Sequence, residues 1–433
     1  MQPDSAIYHA RRQRVLEQMG EGVMVIATAP EVPRNRDTHY PYRHDSYFYW
    51  LTGFSEPEAV VVLVGGAAPR HILFCREKNE EREIWDGFRY GQAAAREVFA
   101  FDDTFAYDAL DAELPKLLEN QPLLSYIIGR DMAWDTQMMG WLNAVRGKAR
   151  SGVHAPNKMV DARIWLDEMR LVKDVHELAL MRRAAEISTE AHRRAMRATR
   201  PGGHEYEIEA ELLSAFRRGG AEAPAYTSIV ASGANACVLH YVFNNRPLRD
   251  GDLLLIDAAA EFGSYAADIT RTFPVNGRFS AAQKDAYELV LAAQAEAIAA
   301  VRPGSHWNTP HETAVRVLTQ GMVDLGLLHG EVDGLIESSA YNRFYMHRTG
   351  HWLGMDVHDA GEYKLHGEWR PLVPGMTLTV EPGLYIRPAD DVPKAFWNIG
   401  IRIEDDVAVT ASGCEVLTTP PKTVAEIEDW MKY

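Results

Sequence analysis

The sequence predicts an α/β domain followed by an α+β domain that is built from two similar halves. Short β-branched runs alternate with polar or helix-compatible stretches in the first part of the chain, which is typical of an α/β domain. The strands of this domain are predicted at residues 23–28, 60–64, 72–75 and 126–128. Beyond residue 171 the pattern changes to long amphipathic helices. We therefore place the boundary near Arg170, with domains at residues 1–170 and 171–433.

A short repeat predicts the two halves of the second domain. Residues 200–204 read R-P-G-G-H, and residues 302–306 read R-P-G-S-H. Each copy lies between two predicted helices, at residues 173–199 and 206–218 for the first copy and at 281–300 and 310–325 for the second. A strand-rich acidic segment follows each helix pair, at residues 253–274 and 376–409. The matching order indicates two related halves, and the alternative is a chance match of residues that commonly end helices.

The composition excludes several classes of protein. The 433 residues include 45 Lys and Arg against 61 Asp and Glu, a net charge of -16, which disfavours binding to nucleic acids or to an anionic membrane surface. The three cysteines have no C-x-x-C spacing, which argues against disulfides and thiolate zinc sites. No apolar run reaches the roughly 18 residues of a membrane span, and no signal peptide is indicated. We expect a cytoplasmic protein.

Four acidic residues are candidates for a metal site. Asp257 ends a buried strand, and Asp268 begins the strand predicted to return beside it. Glu381 follows an apolar run and precedes Pro-Gly, while Glu404 lies on another predicted strand. Each of them alone could be a turn or surface acid. Four carboxylates that converge in a poorly hydrated site would require a compensating cation, so their parallel placement in the two halves predicts metal binding.

Residues 346–359 carry three histidines and two aspartates, more potential ligands than any other segment. His351 is the candidate imidazole ligand, and the alternative is a hydrogen-bonded core histidine. His347 lies four residues earlier, but Arg348 replaces the glutamate that an H-E-x-x-H zinc helix needs. Four carboxylates and one imidazole suit Mn²⁺, with Zn²⁺, Co²⁺ or Fe²⁺ as alternatives. Two such ions, about 3.5–4 Å apart, would hold a bridging hydroxide and polarise a carbonyl, which predicts amide hydrolysis.

Four motifs together resemble the metal-dependent pita-bread peptidases, and most closely the Xaa-Pro aminopeptidases (aminopeptidase P). They read I-D-x(10)-D, H-W-L-G-x-D-V-H-D, V-E-P-G-L-Y-I and G-I-R-I-E-D-D. The resemblance spans about residues 174–409 and extends into the first domain through Y-P-Y-R, T-G-F and E-I-W. It implies a pita-bread second domain, two metal ions with a bridging hydroxide, and cleavage before proline at the second position of a peptide. It also implies a homo-oligomer, a dimer or a tetramer.

The resemblance further implies the ligand set. In this set Asp257 binds one metal ion and His351 binds the other together with Glu381. Asp268 and Glu404 bridge the two ions. Glu381 is also implied to take part in the catalysis.

Supporting roles are predicted for residues around the ligands. The resemblance implies that His240, His347 and His358 bind substrate or transfer protons. Arg402 lies two residues before Glu404, so its guanidinium can orient the carboxylates. Tyr385 is a candidate for a similar supporting role and, with the three histidines, for the substrate-binding wall of the pocket that holds the proline ring. Trp85 resembles an aromatic residue that closes a neighbouring subunit's site in oligomeric relatives, and the alternative is an ordinary core tryptophan.

Two alternative functions remain open at this stage. Prolidases, which cleave Xaa-Pro dipeptides, share the first domain and most of these motifs, and peptide length distinguishes them from the aminopeptidases. Non-catalytic proteins of this architecture have lost the metal ligands, whereas all five positions here carry competent ligands. Methionine aminopeptidases normally lack the first domain. No phosphate-binding or dinucleotide-binding glycine motif occurs in the chain.

Overall fold

A computed structural model describes residues 4–432, and the chain divides into two units, Met1–Glu168 and Met169–Tyr433. The helices of the first unit are α1 (Ser5–Met19), α2 (Ser46–Thr52), α3 (Glu80–Asp86), α4 (Gly91–Val98), α5 (Leu110–Leu118) and α6 (Met132–Arg146). Its strands are β1 (Val23–Ala27), β2 (Pro33–Asn35), β3 (Thr38–His39), β4 (Val60–Val64), β5 (Arg70–Cys75), β6 (Asp103–Ala106), β7 (Leu123–Tyr126) and β8 (Lys158–Asp161). The division falls within α7 (Arg163–Leu171).

A mixed six-stranded sheet forms the core of the first unit, in the order β6-β5-β4-β1-β7-β8. Strand β1 pairs antiparallel to β4 and parallel to β7. The strand β4 is buried along its whole length, as its run of β-branched residues predicts. Strand β7 ends at Tyr126, so the predicted strand at 126–128 is placed too late in the chain. The β-branched residues Ile127 and Ile128 gave a strand signal although they already belong to the connection after the strand.

The second unit combines helices with several small antiparallel sheets. Its helices are α8 (Val175–Ala198), α9 (Glu205–Arg218), α10 (Ala281–Ala300), α11 (Thr309–Asp324), α12 (Val332–Glu337) and α13 (Val424–Trp430). Its first strands are β9 (Ala223–Pro224), β10 (Ile229–Ser232), β11 (Leu253–Asp257), β12 (Ala260–Phe262), β13 (Tyr265–Ala266) and β14 (Thr270–Pro274). The later strands are β15 (Lys364–Leu365), β16 (Glu368–Trp369), β17 (Thr377–Val380), β18 (Gly383–Ile386), β19 (Ile399–Arg402), β20 (Asp405–Val409) and β21 (Cys414–Val416).

Between residues 4 and 432, no helix is both long enough and apolar enough to cross a bilayer.

The two copies of the R-P-G-x-H repeat make equivalent backbone contacts. The Gly202 N–H donates to the carbonyl of Leu248 at 2.9 Å, and the Gly304 N–H donates to the carbonyl of Leu372 at the same distance. Both glycines have positive φ angles, +91° and +83°, a conformation that other residues rarely adopt. Each copy leads into a helix, α9 or α11, that packs against the preceding helix, α8 or α10. The repeat therefore marks two structurally related halves and is not a chance match.

The strands of each half deliver carboxylates to the same region. Strand β11 pairs with β14 so that Asp257 lies opposite Thr270, and β17 pairs with β20 just before Glu381. Two predicted strand positions are wrong in detail. Strand β14 begins at Thr270, so Asp268 precedes it, and Glu404 lies in the break between β19 and β20. At that break the Glu404 N–H donates to the carbonyl of Thr270 at 3.0 Å, which joins the two halves.

Candidate active site

The glycine before His351 allows this histidine to lie beside Glu381. A Cβ atom at Gly350 would lie 2.1 Å from the backbone oxygen of Thr379, so only glycine permits so close an approach to β17. The two segments then pair, with the Glu381 N–H donating to the carbonyl of Thr349 at 2.8 Å. This pairing places Nε2 of His351 at 3.9 Å from Oε1 of Glu381.

His351 presents one ring nitrogen as a metal ligand. Its Nδ1 lies 2.9 Å from the carbonyl oxygen of Trp352, which can only accept, so Nδ1 carries the hydrogen and Nε2 is left to face the carboxylates. Nε2 lies 3.4 Å from Oδ2 of Asp268. Ligand atoms of His351, Asp268 and Glu404 all lie within 4.8 Å of one another. The structure thus brings these three side chains together.

Tyr226 joins two of the predicted ligand carboxylates through its hydroxyl group. Its hydroxyl oxygen lies 2.6 Å from Oδ1 of Asp257 and 2.5 Å from Oδ1 of Asp268. A phenol carries one hydrogen and can donate to only one of these oxygens. The second short oxygen–oxygen contact is favourable when that carboxyl group is protonated or when the phenol hydrogen is shared between both oxygens. The hard oxygen donors of this site fit a divalent cation.

The pKa values of the acidic side chains support the same reading. Burial raises the pKa of Glu404 well above its usual range, and the charges of Asp268 and Glu381 add to the effect. Burial likewise raises the pKa of Asp268, and it raises that of Glu381 to about 7. Burial alone would lower the pKa of His351, but its hydrogen bond to Asp268 and the nearby carboxylates raise it to about 9. Each of these shifts favours the protonated form of its group, which reduces the repulsion among the clustered carboxylates.

Arg402 organises the edge of the acidic cluster. Its guanidinium is buried and donates to Oδ2 of Asp257 at 2.6 Å, to the hydroxyl of Tyr385 at 3.0 Å and to the hydroxyl of Thr270 at 3.1 Å. The Thr270 hydroxyl in turn donates to Oε2 of Glu404 at 2.7 Å. Arg402 therefore orients carboxylates from both halves, directly in the case of Asp257 and through Thr270 in the case of Glu404.

Tyr385 continues this hydrogen-bond chain to His347. Nδ1 of His347 lies 2.7 Å from the carbonyl oxygen of Arg348 and so carries the hydrogen, which leaves Nε2 to accept from the Tyr385 hydroxyl at 2.8 Å. Burial and the charge of Arg402 lower the pKa of His347 to about 3. His347 is therefore a neutral, fixed side chain, and its Nδ1 lies 3.8 Å from Oε2 of Glu381.

A cavity of about 1080 Å³ opens over these groups within the second unit. All five predicted metal ligands line it, together with the three predicted histidines and Arg402. His358 packs edge-on against His351, with ring centroids 4.3 Å apart, and burial lowers its pKa. His240 lies in the turn after β10 and is exposed to the cavity. Trp85, in contrast, lies on α3 of the first unit and is 81% exposed, so it is not a core tryptophan of the chain.

Several residues of the site were not predicted from the sequence. Tyr226 lies in the loop between β9 and β10 and has no motif or periodicity around it. In the sequence, Thr270 is only one residue of a predicted strand in which polar and apolar side chains alternate. Trp307, Tyr363 and Trp369 form an aromatic part of the cavity wall, and nothing in their sequence positions distinguishes them from core aromatic residues.

Two similar halves that bring acidic side chains and one imidazole into a peptide-sized cavity define a metal-dependent hydrolase. The comparisons with known proteins then give its family. Residues 179–411 match the description "Metallopeptidase family M24", and residues 8–125 match "Aminopeptidase P, N-terminal domain". The chain belongs to metallopeptidase family M24.

Named relatives extend over nearly the whole chain. The Xaa-Pro aminopeptidases of Haemophilus influenzae and Escherichia coli are each 44% identical to it, over 98% of this chain and 97% of theirs. Among solved structures, the aminopeptidase PepP of Pseudomonas aeruginosa is 52% identical, with a TM-score of 0.98 over 99% of this chain and 98% of that one. A zinc-substituted E. coli aminopeptidase P in complex with product is 44% identical, with a TM-score of 0.97 over 100% and 99%. The predicted family and fold class are confirmed.

Proposed function

We propose that this chain is a metal-dependent aminopeptidase that hydrolyses the bond between the N-terminal residue of a peptide and a following proline. The observation that carries the proposal is the convergence of four carboxylates, His351 and three further histidines on one cavity of about 1080 Å³. Membership of family M24 and the similarity to proteins named Xaa-Pro aminopeptidase support the same activity.

Asp257, Asp268, His351, Glu381 and Glu404 are proposed to hold two divalent cations, with Mn²⁺ favoured by the oxygen-rich donor set. Divalent cations in such a site polarise the scissile carbonyl and lower the pKa of water. Arg402 and Thr270 then keep the ligands oriented, as their hydrogen bonds to Asp257 and Glu404 indicate.

The protein's own side chains bind the substrate and move its protons. The carboxylates attract the positive α-amine of the peptide. Glu381, which lines the cavity beside His351, is the candidate acceptor of a proton from the attacking water. The proline nitrogen leaves as an amine, so it must receive a proton when the bond breaks. His240 and His358, which line the cavity, are the candidate donors.

The size of the cavity favours an aminopeptidase over a prolidase. Ligand pockets commonly enclose about 300–1,000 Å³, and this cavity, at about 1080 Å³, is slightly larger than that range. A dipeptidase needs to enclose only two residues. We therefore propose that peptides longer than a dipeptide are accepted.

The test compares Ala-Pro, Ala-Pro-Ala and Ala-Ala-Ala with the Mn²⁺-loaded enzyme. We expect cleavage of Ala-Pro-Ala, with little or no cleavage of Ala-Ala-Ala, because the wall of the cavity accommodates the proline ring. Cleavage of Ala-Pro alone would identify a prolidase. Equal cleavage of Ala-Pro-Ala and Ala-Ala-Ala would refute proline specificity.

Two further properties are proposed. The side chains of Ile84, Trp85 and Phe88 are 81%, 81% and 65% exposed, and a patch of this kind supports a homo-oligomer, a dimer or a tetramer. The free cysteines, two of them buried, support a cytoplasmic location. Light scattering after size exclusion tests the first property, and cell fractionation tests the second.

A further inference from the structure

We propose that Arg348, Lys364 and Trp369 form a subsite that binds a carboxylate of the peptide substrate on the C-terminal side of the proline. The inference rests on the proposed function, because it concerns the specificity of the same cavity. The ligand is either the free C-terminal carboxylate of a short peptide or the side chain of an acidic residue that follows the proline.

The three side chains form one compact group. Lys364 and Trp369 face each other across the β15–β16 hairpin, and the Lys364 ammonium lies 4.4 Å from the centroid of the Trp369 ring. The Arg348 guanidinium lies 5.3 Å from the same centroid. All three line the cavity that contains the metal-ligand carboxylates. Two cations and the ring that both of them approach are therefore presented to whatever occupies the cavity.

Neither cation is neutralised by an acidic side chain. In the part of the chain that the structure describes, no ion pair to a carboxylate is formed by Arg348 or by Lys364, and the guanidinium of Arg348 donates instead to the side-chain oxygen of Asn308. The chain as a whole carries a net charge of -16, so acidic partners are abundant elsewhere. Two cations without acidic partners on a substrate cavity indicate that the substrate supplies the negative charge.

The direction of the peptide places that charge after the proline. The α-amine is positive and is attracted to the acidic cluster, so the remainder of the peptide extends towards the other walls of the cavity. A short peptide is a zwitterion, and its negative end then meets the wall of opposite charge. The Trp369 ring lies beside both cations and helps to hold them at this wall of the cavity.

The test measures kcat/KM for Ala-Pro-Ala, its C-terminal amide Ala-Pro-Ala-NH2, Ala-Pro-Asp-NH2 and Asp-Pro-Ala-NH2. We expect the free acid and the Asp-containing amide to be preferred over Ala-Pro-Ala-NH2 by roughly three- to tenfold, the scale of two solvent-screened ion pairs. The preference should appear in KM and shrink as NaCl is added. In the double variant Arg348→Gln, Lys364→Gln the ratio of acid to amide should fall towards one. Lys284→Gln, which removes an exposed charge on α10, is the matched control and should keep the wild-type ratio.

Three results would overturn the subsite. They are a wild-type ratio of one, a ratio that survives in the double variant, and a preference for Asp-Pro-Ala-NH2 in place of Ala-Pro-Asp-NH2. A preference for the free acid alone would identify the C-terminal carboxylate as the ligand, whereas a preference for both substrates shows that either carboxylate is bound. If Ala-Pro-Ala-NH2 is cleaved and Ala-Ala-Ala-NH2 is not, the proposed function stands whatever the ratio. If no proline peptide is cleaved, the proposed function itself is refuted.

Discussion

Replacing Asp359 by Asn should destabilise the second unit strongly, because the carboxylate of Asp359 balances two buried cations. The side chain is 1% exposed and accepts from Arg170 at 2.6 Å and from Lys173 at 2.8 Å, and both of these side chains are also 1% exposed. Breaking a buried ion pair by removing one partner typically costs about 3–5 kcal/mol, since the remaining charge stays buried. We expect Asp359→Asn to lower the free energy of unfolding by about that amount.

Asp356→Asn is the matched control. Asp356 accepts from the same Arg170 nitrogen at 2.8 Å, but its side chain is 42% exposed. Because solvent screens such a contact, its loss should cost less than about 1 kcal/mol. Urea unfolding of the metal-loaded proteins, followed by tryptophan fluorescence, measures both values. Equal effects of the two substitutions, or an effect of Asp359→Asn below about 1 kcal/mol, would refute the argument from burial.

The dependence on pH gives a second check of the same reasoning. Burial by itself would raise the pKa of Asp359, but Lys173 and Arg170 lower it below its usual value. A lowered folded-state pKa stabilises the protein above the pKa of the unfolded chain, and this stabilisation is lost as the pH falls through the folded-state pKa. The difference in the free energy of unfolding between the wild-type protein and Asp359→Asn should therefore stay constant around neutral pH and become smaller only at acidic pH.

Three further predictions concern the active site. The wild-type protein should bind two divalent cations per chain and lose activity on chelation. The variant Asp268→Ala should have both a lower metal content and a lower turnover. Full activity of this variant, or less than one equivalent of metal in the active wild-type protein, would exclude the two-metal site. His351→Ala should lose metal, whereas His240→Ala and His358→Ala should keep it and lose roughly 10²-fold in turnover, as measured by metal analysis beside kcat. Metal loss in His358→Ala would mean that the ligand histidine is misassigned. Trp85→Ala should lower kcat/KM without changing the oligomeric mass if this residue closes a neighbouring subunit's site, and unchanged kinetics would remove that role.

Much of the architecture is local and could be predicted from the sequence. Strand β4 is a continuous apolar run, and α10 begins at a capping box formed by Ser280 and Gln283. Both elements lie where the pattern predicts them, because strand burial and helix capping depend on neighbouring residues. The same holds for the repeat, since each glycine with positive φ marks a turn that the chain needs in each half.

The ligand candidates were also accessible from the sequence, because carboxylates at the ends of apolar strands in two similar halves have a chemical meaning even before the strands are placed. What the sequence alone did not determine is how these groups are held. The hydroxyl of Tyr226 lies between Asp257 and Asp268 across a separation of more than 30 residues in sequence, and the Thr270 hydroxyl joins Arg402 to Glu404.

The residues of the cavity wall could not be predicted from the sequence either. In the sequence, Arg348 is notable only as a mismatch to a zinc motif. Its position beside Lys364 and Trp369 depends on the β15–β16 hairpin, which brings Lys364 and Trp369 together. The sequence by itself determined the two domains, the repeat and the kinds of ligand, because those follow from local periodicity and residue chemistry. Tertiary structure alone decided that Tyr226 and Thr270 contact the ligands and which charges face the substrate, because contacts between residues distant in the chain leave no periodic trace in it.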